Sequence, residues 1–166
     1  MKIKNISYRK YKPKDFEKVF KIFIKFQEKA KVSHYDALGR GQSALFLLPY
    51  LSGELQKLIK DYKYHYVAIN EENSEIIGYA CLGDSIIVDG GIDLVLAFKD
   101  EKIPFNKLFK YLLLIGLKKE FPNKRIFATL GKRDRFNQYV AFMKRVFKIH
   151  VMQTDNFGRI YIEFLK

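Results

Sequence analysis

Apolar and polar positions alternate along this chain with two periods, and each switch between them marks a change of element. Ile3 to Tyr11 alternates loosely through Ile3, Ile6, Tyr8 and Tyr11, which predicts a first strand. Lys12-Pro13-Lys14-Asp15 then opens a helix. Phe16, Val19, Phe20 and Phe23 share one face of it, and Lys18, Lys21, Lys25 and Lys29 lie largely off that face, up to an end near Lys31. Val32 to Gln42 reads as a loop, with His34, Tyr35, Asp36 and the pair Gly39 and Gly41. Helical spacing returns over Ser43 to Tyr62, with a stripe of Leu48, Leu51, Leu55, Leu58, Ile59 and Tyr62 and an interruption expected near Pro49.

The middle of the chain reads as strands. Tyr64 to Ile69 and Ile76 to Leu82 flank a polar turn at Asn70-Glu71-Glu72-Asn73-Ser74, which predicts a hairpin. Gly83 and Asp84 punctuate the second strand, Ser85 to Val88 continue extended, and Asp89-Gly90-Gly91 turns the chain again. Ile92, Leu94, Val95, Leu96 and Phe98 then form an apolar run that suits a buried strand. Three antiparallel strands are therefore expected to form a meander.

Lys99 to Lys102 break the run, and Pro104 can open a helix because its missing N–H is one that the first turn leaves unpaired. Phe105, Leu108, Phe109, Leu112 and Leu113 follow at helical spacing until Pro122. A strand feeding a helix N-terminus is a place where free backbone N–H groups can hold phosphates. A short strand over Arg125 to Leu130 comes next. Asp134 then caps a helix whose face is Phe136, Tyr139, Val140, Met143 and Phe147. Lys148 to Gln153 and Arg159 to Phe164 close the chain as two strands around the turn Asp155-Asn156-Phe157-Gly158.

Composition narrows the class. The chain has 166 residues, 48% of them hydrophobic, which is enough for one domain over 1–166 with a real core. The single cysteine, Cys81, sits in an apolar run and reads as a buried thiol. His34, His65 and His150 are too far apart in sequence for zinc-type spacing, so no metal site is expected. No apolar run has the length of a signal sequence or a bilayer span, which leads us to expect a soluble, cytoplasmic protein without membrane contact.

The net charge of +13 changes the picture further, because it is uneven. Residues 1–31 hold eleven Lys or Arg against three Asp or Glu, and residues 118–148 hold ten against two, whereas residues 32–117 hold eight against eleven. These basic segments suit nucleic acid, an acidic protein or an anionic cofactor. They equally suit lysine-rich solvated helix faces.

The predicted order is β-α-α-β-β-β-α-β-α-β-β. Together with Tyr8-Arg9-Lys10-Tyr11-Lys12-Pro13-Lys14-Asp15, the hairpin end Ile76-Ile77-Gly78-Tyr79-Ala80, and Asn137, Ala141, Phe142, Lys144 and Phe147 in the late helix, it resembles the GNAT (Gcn5-related N-acetyltransferase-like) superfamily over nearly the full length. The resemblance implies an α/β (α+β) fold, with a mostly antiparallel sheet of about seven strands flanked by about four helices. It implies acetyl-CoA as acyl donor and a small-molecule or protein amine as acceptor.

Cofactor contacts would come from Leu96, Ala97, Phe98, Lys102, Asn106, Lys107 and Asn137. The family's glycine-bearing pyrophosphate signature is absent, since Phe98 to Lys107 contains no glycine, and Lys102 and Lys107 are left to contribute charge. The late-helix tyrosine that protonates the leaving thiolate in the family corresponds to Met143 here, with Tyr139 one turn earlier as the substitute.

The base would be Asp93, Asp84, Ser85 or His34. Asp93 comes first because it interrupts an apolar strand, where an ionised group needs a reason. A strand-end aspartate facing solvent or a lysine is the other reading of it. The alternative function is a GNAT-like basic protein, non-catalytic or of the phage type, that binds or modifies nucleic acid.

Overall fold

The computed structural model describes residues 5–30, 44–100, 117–130, 141, 144, 145, 148–154 and 160–165. Seven strands form one sheet: β1 (Ile6–Lys10), β2 (Tyr64–Asn70), β3 (Glu75–Asp84), β4 (Ile92–Lys99), β5 (Ile126–Leu130), β6 (Ile149–Thr154) and β7 (Ile160–Phe164). Their spatial order is β1-β2-β3-β4-β5-β7-β6. Every neighbouring pair is antiparallel except β4 with β5. The described helices are α1 (Phe16–Ala30), entered through a 3-10 turn at Pro13–Asp15, then α2 (Ala44–Asp61) and a short α3 (Leu117–Glu120). The fold class is thus the mixed, mostly antiparallel one expected. Most of the fourth helix, predicted after Asp134, lies outside the described residues, with 141, 144 and 145 helical.

Alternation along the strands divides the core between the two faces of the sheet. Val67, Tyr79, Cys81 and Phe98 turn to one face, where they meet Val19, Ile22 and Phe23 of α1 and Leu51 and Leu55 of α2. Tyr66, Ala68, Ala80, Leu82, Ile92, Leu94, Ile126, Ala128, Ile162 and Phe164 turn to the other, with Phe121 among them. Each fully buried side chain of this kind contributes about 1.5–3 kcal/mol relative to leaving it in water. The thiol of Cys81 is buried in the first cluster, as expected of it.

Two local expectations need correction. Pro49 does not interrupt α2, which runs through it. Pro49 lies near the start of the helix on its exposed side, so the cost is confined to one ladder bond, and buried Leu51 and Leu55 hold the next turns in place. Ser85 to Val88 is not extended either. Ser85 Oγ accepts from the N–H of Ile87 and of Val88, which folds the segment into a turn that brings Gly91 back to Ser85. Gly91 is required there: a Cβ would sit 2.7 Å from the Phe127 ring and 3.0 Å from the Val88 carbonyl oxygen.

The junction of β1 with α1 is built on one carboxylate. Arg9 donates to both oxygens of Asp15 at 2.6 and 2.8 Å, and Asp15 Oδ2 also accepts from the Lys12 N–H. Asp15 is buried, and the hydrogen bonds from Arg9 hold its pKa below the ordinary carboxylate value.

Candidate functional site

Strands β4 and β5 stay together for only three residue pairs, Ile92 with Ile126, Asp93 with Phe127 and Leu94 with Ala128. Beyond that β5 continues beside β7 up to Leu130, while β4 continues beside β3 up to Lys99. No described strand pairs with β4 on its β5 side past Leu94. The parting coincides with an irregularity in β4: Leu82 pairs with Leu94 and Cys81 with Leu96, so Val95 is an extra residue.

The bulge decides which backbone groups face the opening. Ser85 donates to the Gly91 carbonyl and Asp100 donates to the Ile77 carbonyl, which fixes the odd-numbered residues of β3 as those bonded to β4. Their partners Asp93, Leu96 and Phe98 therefore direct their backbone groups to β3. Ala97, paired with Ala80, turns its N–H and C=O the other way, toward the gap. The side chain of Phe98 is committed to the core, against Phe23, Phe26 and Tyr79. Of the three β4 positions expected to hold a cofactor, Ala97 is the one whose backbone is aimed into the opening.

Asp93 stands two residues before the bulge, on the last stretch where β4 and β5 are joined. Its Oδ2 accepts from the Ile86 N–H at 3.2 Å. Its Oδ1 is buried and has no hydrogen-bond partner among the described residues. A buried carboxylate oxygen without a partner costs free energy, about 1–3 kcal/mol or more when charged. Asp93 is the second residue of β4 and forms no ion pair among the described residues; Lys63 lies 3.8 Å from Asp84.

The remaining candidates separate clearly. Asp84 is mostly exposed and engaged with Lys63. Ser85 is occupied in its own turn. His34, Lys102, Asn106, Lys107, Asn137 and Tyr139 lie outside the described residues. Among the described residues, no group of three His, Cys, Asp or Glu could hold a metal ion, and no helix is long and apolar enough to cross a membrane.

Two features escape sequence reading. A cavity of about 330 Å³ lies beside α2, lined by Glu54, Lys57, Leu58, Asp61 and Tyr62. The Tyr62 ring packs over Gly83 of β3, where a Cβ would meet that ring at 3.2 Å and Val95 at 3.9 Å. The second feature is a clamp. His65 Nε2 lies 2.7 Å from the Tyr62 carbonyl oxygen, which can only accept, so Nε2 carries the proton and donates. In the neutral ring Nδ1 is then the acceptor for the Tyr79 hydroxyl, at 2.8 Å. Burial pushes the Tyr79 phenol far above its ordinary pKa, so it remains a donor. His65 pairs with Cys81, which puts Tyr79 diagonally opposite on the same face. That register is the signal through which the pair is readable.

No protein-family model matches this chain, and no curated protein matches it by sequence. Solved structures do match by shape. An acetyltransferase from Thermus thermophilus has a TM-score of 0.69 at 15% identity, covering 99% of this chain and 100% of its own. The PaiA N-acetyltransferase from Thermoplasma acidophilum, solved in complex with coenzyme A, has a TM-score of 0.61 at 17% identity, covering 96% and 98%. An acetyltransferase of the GNAT family from Staphylococcus aureus has a TM-score of 0.59 at 18% identity, covering 98% and 100%. The chain has a GNAT-like fold.

Proposed function

We propose that the protein is an acyl-CoA-dependent N-acyltransferase, with acetyl-CoA as donor and an amine as acceptor. The observation that carries this reading is Asp93 Oδ1, buried and without a hydrogen-bond partner among the described residues, on the stretch where β4 and β5 begin to part. A carboxylate that accepts from one backbone N–H, with its other oxygen buried and without a partner among the described residues, is positioned to accept a proton. The gap beside it offers the β4 edge at Ala97, unpaired with any described strand, onto which an amide-bearing pantetheine arm can add as a strand does. The solved complex of a similarly folded N-acetyltransferase with coenzyme A supports the same choice of donor.

In this mechanism the acceptor nitrogen attacks the thioester carbonyl carbon. The C–N bond forms and the C–S bond breaks. Asp93 takes the proton that the nitrogen loses, directly or through one water, and the coenzyme A thiolate leaves and is protonated. The Ala97 N–H, turned toward the gap, polarises the carbonyl. We assign Lys102, Asn106, Lys107 and Asn137 to the donor's phosphates, and Tyr139 to protonation of the thiolate. His34 is the second candidate for the base.

The test is thiol release from acetyl-CoA across a panel of primary amines. Asp93→Asn is expected to lower kcat about 10²–10⁴-fold while acetyl-CoA affinity stays within about threefold. Equal turnover by the variant removes Asp93 as the base, and absence of acetyl-CoA binding to the wild-type protein removes the reading itself.

A further inference from the structure

A different part of the molecule carries a second binding surface. Helix α1 buries Val19, Ile22 and Phe23 against the sheet and α2. Its opposite side is exposed at Lys18, Lys21 and Lys25, with Lys14 exposed in the 3-10 turn before it. Spacings of three and four residues place Lys18, Lys21 and Lys25 within a narrow arc, about 4.5 and 6 Å along the axis from one to the next, over about 10 Å in all. Lys10 and Lys12 are exposed just before the helix. Lys18, Lys21 and Lys25 pair with no carboxylate among the described residues; the ion pairs there are Arg9–Asp15, Lys63–Asp84 and Arg125–Glu163. Glu17 is the one exposed acidic group between residues 10 and 27.

Like charges in a row repel one another, by a few tenths of a kcal/mol per neighbouring pair on a helix. We propose that this row is a docking surface for a nucleic-acid backbone, bound without regard to base sequence. The face holds no exposed apolar or aromatic residue between positions 14 and 27 that could anchor a protein partner. Lysines act as point charges, and a regular row of them fits a regular row of phosphates, where neutralisation with counterion release supplies the affinity. The surface is independent of the Asp93 site and does not rest on the acyltransferase reading.

Fluorescence anisotropy with a labelled single strand of about 20 nucleotides and the matching duplex, from about 50 to 200 mM salt, tests the proposal on the full chain. The variant is Lys18→Gln/Lys21→Gln/Lys25→Gln, which keeps good helix formers on the surface. The control is Lys119→Gln/Lys144→Gln/Lys148→Gln, drawn from exposed lysines of the other basic segment. Three lost phosphate contacts are expected to reduce the slope of log K against log salt by about 2.7 on the duplex and about 2.1 on the single strand, with a loss of affinity above about tenfold at the lowest salt. The control is expected to change affinity less than about threefold, and both variants to keep the wild-type circular dichroism. Several results would overturn the proposal: no binding by the wild-type chain at the lowest salt, an unchanged slope in the α1 variant, or an equal loss in the control. Displacement of the oligonucleotide by polyglutamate as readily as by polyphosphate would overturn it too, pointing to an acidic protein instead.

Discussion

Two aspartates, Asp15 at the β1–α1 junction and Asp93 at the parting of β4 from β5, show how one residue type serves opposite ends. Both of Asp15's oxygens are engaged, by a two-pronged Arg9 and by the Lys12 N–H. Asp93 has one oxygen on a backbone N–H and the other buried, with no partner among the described residues. The first carboxylate is used up by the fold. The second leaves one oxygen without a partner among the described residues, and it sits where the sheet opens. A fold tolerates an unsatisfied buried oxygen at a cost, and such costs collect at working sites.

Exchanging the carboxylates for amides sharpens this contrast most. Asp93→Asn is expected to reduce turnover by about two to four orders of magnitude while stability changes by less than about 1 kcal/mol, since no strong partner is lost. Asp15→Asn is expected to do the reverse, costing about 2–3 kcal/mol by leaving Arg9 without its partner, with kcat within about threefold. Urea denaturation and steady-state rates on the same two proteins separate the effects.

Gly91→Ala is expected to come next in size. Its Cβ would press on the Phe127 ring at 2.7 Å and on Ser85 Cβ at 3.1 Å, so the turn that supplies the Ile86 N–H to Asp93 must shift. A stability loss of about 1–3 kcal/mol is expected, together with reduced turnover. Tyr79→Phe should cost about 1 kcal/mol, because it removes the hydroxyl donated to His65 Nδ1 and leaves catalysis intact.

The smallest effect is in the acid limb of stability. Hydrogen bonds from Arg9 and Arg125 lower the pKa values of Asp15 and Glu163 in the folded state, below the ordinary values of 3.8 and 4.5. The unfolded chain then binds more protons, so these contributions are complete above the ordinary values and fade as pH falls through the lowered ones. Glu163→Gln, followed by thermal midpoints from about pH 2 to 6, is expected to flatten that limb. An unchanged limb would show that the ion pair contributes nothing.

The strands were legible in the sequence because each pairs alternating or continuous apolar positions with a polar turn, and Asp93 was legible as a charge interrupting an apolar run. What escaped depended on long-range partners. Pro49 stays within α2 because Leu51 and Leu55 find a core beneath them. Ser85 folds its own turn through its hydroxyl, which composition does not reveal. The bulge at Val95, which turns Ala97 toward the opening, is set by strand register across the hairpin and not by the identity of Val95.

The central claim concerns that opening. Calorimetric titration of acetyl-CoA, with free coenzyme A as control, into the wild-type chain and Ala97→Pro tests it most directly. Proline at 97 deletes an N–H that faces the gap and none that bonds to β3, so the variant should remain folded. The account predicts micromolar binding to the wild-type protein and a loss of at least about tenfold in a folded variant. Equal affinity in both proteins, or no binding in either, would contradict it.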